Sequence, residues 1–224
     1  MRRTLTVSLL AMALAIALPG AAQAAVTLQP GAYMETDVGS CTLNFAYSGS
    51  GKTYLGTAAH CVESIGQPVR DIEGTAFGKV AFIGNADVTQ QDFAFIEVDA
   101  EDLGRVSAAV KGHPSFPTGA TSAGEALIGD QIQLSGYGLG YDTTPTTQER
   151  RQAVMGFDDN ELYDVTGPIH WGDSGGPLVH VRTGKALGIV SRLCAGACSE
   201  EGPTVQGILA KAAAAGFPVT LRTV

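Results

Sequence analysis

The chain has 224 residues, of which 45% are hydrophobic, so it is long enough to bury a sizeable core. Its 22 acidic and 14 basic residues give a formal net charge of −8, which argues against nucleic acid and anionic membranes as partners. The 29 glycines, scattered among short apolar runs, indicate many tight turns between strands.

The first 24 residues have the pattern of an export signal. Arg2 and Arg3 give a positive start, Leu5 to Leu18 is apolar, and Ala22 to Ala24 is a small-residue cleavage site. The paired arginines leave twin-arginine export open, although the surrounding pattern is weak. Cleavage after Ala24 would remove two basic residues and no acidic one, which lowers the net charge from −8 to −10. We therefore expect a secreted protein, extracellular or periplasmic, whose mature form does not associate with membranes.

Short strand-like runs dominate the rest of the chain and predict an all-β barrel or sandwich. Ser48 to Gly51 is typical of a hairpin tip, and the turn-rich segment Lys111 to Thr121 is the best candidate for a link between two halves. The predicted strands are Thr42 to Tyr47, Lys79 to Ile83, Phe93 to Val98, Gln131 to Tyr137, Gln152 to Phe157, Pro177 to Val181 and Ala186 to Arg192.

One helix is predicted near the C-terminus. Apolar residues recur along one face of Val205 to Ala215 at helical spacing. Gly216 can end this helix, Pro218 prevents its extension, and Val219 to Leu221 is expected to add a last strand.

Four cysteines follow the export signal: Cys41, Cys61, Cys194 and Cys198. An even number in an exported chain favours disulfides. Three pairings are possible, and we favour Cys41 with Cys61 and Cys194 with Cys198 because each pair then falls within one half of the chain. A zinc site built on Cys194 and Cys198 lacks a matching second half, so we expect no metal.

A candidate nucleophile and its base lie far apart in the chain. Ser174 is isolated within Gly172 to Pro177, between small residues whose N–H groups can approach a reacting carbonyl. A serine hydroxyl is a poor nucleophile until a base takes its proton. His60, in the segment Thr57 to Cys61, is the predicted base, since small neighbours let its imidazole sit at the rim of a cleft. An α/β-hydrolase would need an acid and then a histidine after the serine, and His180 follows too closely to serve.

A buried carboxylate is expected to orient His60 and to stabilise its charged form. Asp92 is the best candidate, because it stands where a polar loop enters an apolar strand. Three rivals are weaker: Glu97 and Asp99 fall within or at the end of that strand, and Asp87 lies in a more polar loop.

These motifs resemble those of the chymotrypsin-like (trypsin-like) serine endopeptidases, especially short secreted bacterial members such as streptogrisins. Thr57 to Cys61, Asp92 to Phe95 and Gly172 to Pro177 match the three family motifs in order. Gly188 to Ser191 is similar to the strand that precedes the specificity pocket. The resemblance implies an all-β fold of two antiparallel six-stranded Greek-key barrels with the active site between them, plus a C-terminal helix.

The resemblance also implies boundaries and a mechanism. The first barrel would span about residues 25–112 and the second about 120–224, and the bond between Cys41 and Cys61 would match the family's disulfide beside the histidine. Catalysis would proceed by acyl transfer through a covalent intermediate on Ser174, with His60 and Asp92 completing a triad. The N–H groups of Gly172 and Ser174 would hold the oxyanion. No cofactor is expected, the partner would be a polypeptide substrate, and the protein is expected to be a monomer.

The resemblance assigns substrate binding to Ser191, Arg192 and Leu193. Ser191 would support Asp92 by a hydrogen bond, and the backbone of the three residues would pair with an extended substrate. The chain departs from the family here, because Arg192 replaces a usual aromatic residue and Leu193 a common glycine. Leu193 would narrow the pocket mouth, which favours small or medium apolar side chains at the cleaved position.

Other residues around the pocket bear on the same preference. Pro168 and Ile169 are expected at the pocket floor, and neither is charged. His170 stands where the family often has a cysteine, and it is a candidate for lining a subsite. Glu200 and Glu201 could instead attract a basic side chain of the substrate, but we expect them to be solvated loop charges. The sequence therefore favours an uncharged preference.

The expected mature start departs from the family as well. Animal members bury a new N-terminus, which begins Ile-Val-Gly-Gly, against the aspartate that precedes the serine, whereas this chain would begin at Ala25. Asp173 therefore needs another partner, and bacterial relatives often use an internal arginine, which the sequence does not identify.

Three functions remain open from the sequence. The leading one is a secreted serine endopeptidase. The alternative is a catalytically weak or inactive binding protein on the same scaffold, which the altered pocket residues keep open. An esterase or other acyl hydrolase on this scaffold is the third.

Overall fold

The computed structural model describes residues 25–138, 151–193 and 200–224. The predicted export signal, residues 1–24, lies outside these ranges. Cys194 and Cys198 also lie outside them, so their pairing stays a prediction.

The described residues form two antiparallel sheets, in agreement with the expected all-β architecture. The first sheet runs in the order β15-β3-β4-β7-β6-β5-β1-β2, numbered along the chain. Its last strand in sequence pairs with β3, so the C-terminal residues return to the first sheet. The strands are β1 (Tyr33–Thr36), β2 (Gly39–Thr42), β3 (Ala46–Gly49), β4 (Lys52–Thr57), β5 (Pro68–Arg70), β6 (Ala76–Ile83), β7 (Ala94–Val98) and β15 (Thr220–Leu221).

The second sheet contains seven strands in the order β12-β11-β8-β9-β10-β14-β13. These strands are β8 (Gln131–Leu134), β9 (Arg151–Asp158), β10 (Leu162–Thr166), β11 (Pro177–His180), β12 (Lys185–Ile189), β13 (Arg192–Leu193) and β14 (Glu200–Pro203). The structure describes eight strands in the first sheet and seven in the second, whereas the resemblance implied six strands in each barrel. Short strands such as β13 and β15 add to the sheet edges.

The predicted strands are mostly confirmed, with bounds that differ by a few residues at one end or both. The run Thr42 to Tyr47 is wrong as one strand, since residues 43–45 separate β2 from β3. The hairpin tip at Ser48 to Gly51 is confirmed between β3 and β4, with positive φ at Ser50 and Gly51. Sequence reasoning missed β1, β5, β10 and β14, because alternation of polar and apolar residues is brief in strands of three to five residues.

The single α-helix of the described residues, α1 (Val205–Ala214), confirms the C-terminal helix. Thr204 caps it, because its Oγ1 accepts the N–H of Gly207 at 3.0 Å. The helix ends at Ala214, and Gly216 follows its C-cap with a φ of +81°, which suits a residue without a side chain.

Three buried clusters make up the core. One lies within the first sheet and one within the second. The third combines aromatic residues of the first sheet, such as Phe95, with Ile189 of β12 and Ile208 of α1. This shared cluster holds the two sheets together, so that loops from both reach a common cleft.

Candidate active site

His60 lies in a short 3₁₀ turn, Ala59–Cys61, that follows β4. The predicted disulfide between Cys41 and Cys61 is confirmed, with the two Cα atoms 6.2 Å apart. It ties β2 to the residue next to His60, whose side chain remains 37% exposed. The cleft therefore presents an accessible imidazole on a turn that is covalently anchored.

Asp92 is completely buried where the loop before β7 meets that strand. Its carboxylate accepts the backbone N–H of His60 at 3.0 Å, and its Oδ2 lies 2.8 Å from His60 Nδ1. Ser191 Oγ donates to the same Oδ2 at 2.5 Å, a contact that the family resemblance implied. The rival carboxylate Glu97 instead pairs with Lys52 on the outside of the first sheet.

The ionisation of Asp92 follows from these contacts. Burial by itself raises its pKa, but the hydrogen bonds from His60 and Ser191 and the charge of His60 outweigh burial, so the pKa lies below its ordinary value. An ionised carboxylate can only accept hydrogen bonds, so His60 Nδ1 carries the proton. The lone pair of the neutral ring is then on Nε2, the nitrogen that faces away from Asp92.

Ser174 occupies a loop held between the two sheets. Its carbonyl accepts the N–H of Thr42 at 2.9 Å, and Gly175 N–H donates to Val190 at 2.7 Å. Gly175 has a φ of +83°, and an added Cβ there would lie 2.4 Å from the Thr42 carbonyl oxygen. Because the backbone approaches so closely here, position 175 requires glycine, which explains one residue of the motif Gly172 to Pro177.

Two cavities flank Ser174, and His60 and Trp171 line both of them. The smaller cavity, about 380 Å³, extends towards Val38 and the disulfide, and the larger, about 530 Å³, extends towards Ser191. No hydrogen bond joins the Ser174 hydroxyl to the His60 ring in the described part of the chain. In unliganded enzymes this contact is often long and tightens when substrate binds.

Asp173 has the internal arginine partner that the sequence left unidentified. Arg151, at the start of β9, forms a bidentate ion pair with its carboxylate, and one of the two contacts measures 2.6 Å. Backbone N–H groups of Gly138 and His170 donate to the same carboxylate at 2.7 and 2.9 Å. All of these partners fix the residue that precedes Ser174. Only position in the fold singles out Arg151, because its sequence neighbours show no motif.

The larger cavity contains most of the predicted substrate-binding residues. Ile169 and His170 line it as expected, whereas Pro168 is not part of its lining and its carbonyl accepts from Arg151. The cavity is also lined by Ser191, Arg192 and Leu193. The sequence missed Trp171, whose side chain is 83% exposed at the mouth of both cavities.

The expectation that Glu200 is a solvated loop charge is wrong. Glu200 is completely buried and lines the larger cavity, because β14 turns its carboxyl inward to accept the N–H groups of Ser191 and Arg192. Its neighbour Glu201 is half-buried and accepts a hydrogen bond from Thr89 Oγ1 at 3.3 Å. Alternation along a strand therefore separates two adjacent carboxyl groups that the sequence could not distinguish.

In the part of the chain that the structure describes, three potential metal ligands lie together beside this cleft. Ligand atoms of Cys41, His60 and Cys61 lie within 4.8 Å of one another. Both sulfur atoms are already joined in the disulfide, so neither is available as a thiolate ligand.

The sequence of the chain places it in a known family. Residues 39–189, about two-thirds of the chain, match the model of the trypsin-like peptidase domain. The chain belongs to this family. Membership identifies it as a serine-type endopeptidase whose substrates are polypeptides, and it agrees with the resemblance of the three motifs. No curated protein matches the chain in sequence.

Solved structures of bacterial proteases share the fold. A serine protease described as specific for glutamic acid, with a histidine triad in substrate binding, has a TM-score of 0.61 at 19% identity, covering 87% of this chain and all of its own. Protease A of Thermobifida fusca has a TM-score of 0.61 at 19% identity over 89% of this chain and all of its own. A Nocardiopsis protease has a TM-score of 0.60 at 20% identity, covering 88% of this chain and all of its own. The expected two-barrel chymotrypsin-like fold is confirmed.

Helices in the described ranges are all too short or too polar to cross a lipid bilayer.

Proposed function

We propose that this family member is a secreted, monomeric endopeptidase that cleaves peptide bonds through an acyl-enzyme on Ser174, with His60 as the base and Asp92 as its orienting carboxylate. The observation that carries the proposal is the buried network around Asp92, which receives hydrogen bonds from His60 and Ser191. This network fixes the imidazole in the tautomer that a general base requires.

The proposed reaction starts when Nε2 of His60 takes the proton of the Ser174 hydroxyl. The serine oxygen then forms a bond to the carbonyl carbon of the substrate, and the electron pair of the C=O bond moves to oxygen. As the C–N bond breaks, His60 gives its proton to the leaving amine. Water repeats these steps on the ester, which releases the acid and restores Ser174. Asp92 stays ionised throughout and stabilises the imidazolium.

The N–H groups of Gly172 and Ser174 are proposed to hold the developing oxyanion. Among the described residues, neither group donates to another protein atom, so both are available to a substrate. Gly172 has a φ of +97°, a conformation that suits glycine, and both residues line the smaller cavity. Loss of one such donor costs about 10²–10³ in rate.

The pair of Arg151 and Asp173 supports this arrangement without a newly formed N-terminus. Because Asp173 lies between the two proposed oxyanion donors, an internal cation can fix both of them. We therefore propose that removal of the export signal is the only cleavage needed for activity.

Edge strand β13 supports recognition of an extended substrate. In the order of the second sheet β13 is terminal, and within the described ranges its one partner is β14, which pairs Arg192 with Glu201 and Leu193 with Glu200. Its other edge is open in the described residues, so a peptide can add to the sheet as a further strand.

A fluorophosphonate probe tests the proposal, because it labels a serine only when the serine is activated. We expect wild-type protein to be labelled and Ser174→Ala to be unlabelled. Ser40→Ala is the matched control, since Ser40 lines the same cavity but should not be the nucleophile. Folded wild-type protein that takes no label would instead support the binding-protein alternative. Labelling without hydrolysis of any peptide would support an acyl hydrolase for other substrates.

Secretion has a separate test. Expression of the full chain in a bacterial host, followed by N-terminal sequencing of the exported protein, should give Ala25 as the first residue. Retention of the intact chain in the cytoplasm would contradict secretion and would leave the proposed chemistry untouched.

A further inference from the structure

His60 shares a cavity wall with the disulfide that anchors its turn. His60, Cys41 and Cys61 all line the cavity of about 380 Å³ on one side of Ser174. A ring nitrogen of His60 and the two sulfur atoms lie within 4.8 Å of one another. The sulfur of Cys61 also lies 3.9 Å from the carbonyl oxygen of Ser174. A chemical change at this disulfide therefore alters the immediate surroundings of the proposed base.

Both sulfur atoms stay near the imidazole when the disulfide is reduced, because other contacts hold the two chain segments. On the first segment, β2 pairs with β1 over its whole length. On the second, the carbonyl of Cys61 accepts a hydrogen bond from Thr36 Oγ1 at 2.8 Å. The N–H of His60 donates to Asp92 at 3.0 Å. These contacts do not involve the S–S bond, so the released thiols remain at the cavity wall.

Two thiolates and one imidazole are a ligand set that zinc takes in proteins, with the fourth position left to water. Tetrahedral bonds of about 2.3 Å to sulfur and about 2.0–2.1 Å to nitrogen place the ligand atoms about 3.5–3.8 Å apart. Because the three atoms lie within 4.8 Å of one another, side-chain rotations suffice to reach this spacing once the S–S bond is broken. The adjoining cavity has room for the ion and its water.

Asp92 orients the imidazole as a zinc ligand. Its ionised Oδ2 lies 2.8 Å from His60 Nδ1 and keeps the proton there, so the lone pair of the ring is on Nε2. A histidine that binds a metal almost always donates its other N–H to a carboxylate, a carbonyl or water, which makes it a stronger ligand. The hydrogen bond that makes His60 a base therefore also prepares it to bind zinc.

We propose that Cys41, Cys61 and His60 form an inhibitory zinc site once a dithiol has reduced the disulfide. The inference rests on the proposed function, because inhibition follows from the role of His60 as the base. The dithiol gives two electrons and two protons to the disulfide and becomes a disulfide itself. Zinc displaces both thiol protons to solvent and takes the Nε2 lone pair, so His60 no longer accepts the proton of Ser174. Removal of the zinc returns the lone pair.

The first experiment measures metal binding without any substrate. A variant in which Cys194 and Cys198 are replaced by serine retains Cys41 and Cys61 as its only cysteines. A water-soluble phosphine, which takes an oxygen atom from water as it is oxidised, reduces the disulfide. We then expect the variant to bind about one Co²⁺ per chain, seen as the charge-transfer absorption of cobalt–thiolate bonds, and to lose this absorption when zinc is added.

Matched variants assign the ligands. Replacing Cys41 and Cys61 by serine in the same variant should abolish the cobalt–thiolate absorption. Asp92→Asn should lower the zinc affinity by about 10- to 100-fold, the usual cost of losing the partner of a ligating histidine, and His60→Ala should lower it at least as much. Asp87→Asn is the matched control, since Asp87 is exposed in the loop before Asp92, and its affinity should stay within about fivefold.

The second experiment measures fluorophosphonate labelling of Ser174 and peptide hydrolysis. Zinc at a concentration that saturates the reduced protein should leave the oxidised protein active, because its sulfur atoms are not available. The same zinc should abolish labelling and hydrolysis in the reduced protein, and a chelator should restore both. Reduction by itself should leave the protein active, since His60 and Asp92 keep their contacts.

The outcomes separate the two proposals. Oxidised wild-type protein that takes no fluorophosphonate overturns the proposed function, whereas cobalt binding tests the metal site without it. A disulfide that the phosphine does not reduce in the folded protein, as judged by a count of free thiols, overturns the zinc site. Reduced protein that gives no cobalt–thiolate absorption, or that binds zinc and is still labelled, does the same.

A second comparison covers a failure of the serine background to fold. If the variant that lacks Cys194 and Cys198 takes no label although the wild type does, reduced wild type is compared with the variant in which Cys41 and Cys61 alone are serine. We expect stronger cobalt–thiolate absorption in the wild type, and equal absorption in the two proteins would overturn the site.

Discussion

Replacement of Arg151 by methionine removes the only side-chain cation in contact with Asp173 in the described residues, while it preserves much of the apolar volume. The Arg151 side chain is 9% exposed and the Asp173 side chain is fully buried. After the change, the partners that Asp173 retains among the described residues are the N–H groups of Gly138 and His170. Removal of one partner of a buried ion pair costs about 3–5 kcal/mol, a large part of the about 5–15 kcal/mol that stabilises a typical domain.

The assay is urea unfolding of the wild type and variants at pH 7. Arg182→Met is the matched control, because Arg182 is 56% exposed and pairs with Asp130 at the surface, so it should cost less than about 1 kcal/mol. The double variant Arg151→Met with Asp173→Asn removes both charges and should regain most of the loss. A cost for Arg151→Met no larger than that for Arg182→Met would refute the reasoning.

The same variant should also lose activity. Asp173 precedes Ser174, so a loosened carboxylate displaces the two N–H groups that are proposed to hold the oxyanion. We expect kcat to fall by about 10²–10³ in the Arg151→Met variant, the cost of one lost oxyanion donor. Rates of fluorophosphonate labelling should fall with it, while Arg182→Met should label as wild type.

Three further predictions test other contacts. Asp92→Asn should lower kcat by about 10⁴, because the amide no longer enforces the His60 tautomer, and peptide hydrolysis measures this. Burial gives Glu200 a pKa of about 9 in the folded protein, against 4.5 in the unfolded chain. Below pH 4.5 the carboxyl is protonated in both states, so it does not lower the free energy of unfolding. As pH rises from 4.5 towards 9, ionisation in the unfolded state lowers the free energy of unfolding by up to about 1.4 kcal/mol per pH unit. The urea midpoint of Glu200→Gln should therefore rise relative to that of the wild type between pH 6 and pH 8. Midpoints that change in parallel with pH would contradict this. Replacing Cys41 and Cys61 by serine should cost about 2–4 kcal/mol in the same assay, because the bond closes a loop with a sequence separation of 20.

Local patterns account for what could be predicted. The helix Val205–Ala214 was predictable because its apolar face and the stop signals Gly216 and Pro218 lie close together in the sequence. The hairpin tip at Ser48 to Gly51 was predictable for the same reason. Short strands such as β10 were missed, because five residues carry too little alternation to stand out.

Contacts between distant segments could not be predicted. Arg151 and Asp173 are 22 residues apart and Ser191 and Asp92 are 99 apart, and a resemblance supplied only the second pair beforehand. The inward direction of Glu200 depends on the register of β14 against β13, which no local pattern fixes. Burial of that carboxyl is therefore a property of the sheet.

The amino-acid sequence alone determined the residue types available for acyl transfer, their order along the chain and the all-β class, because motifs and turn signals are local. Tertiary structure decided which arginine neutralises Asp173 and which glutamate faces the cavity. Those outcomes depend on the desolvation and the charge that a side chain meets once the sheets have packed, and the chain acquires these surroundings only on folding.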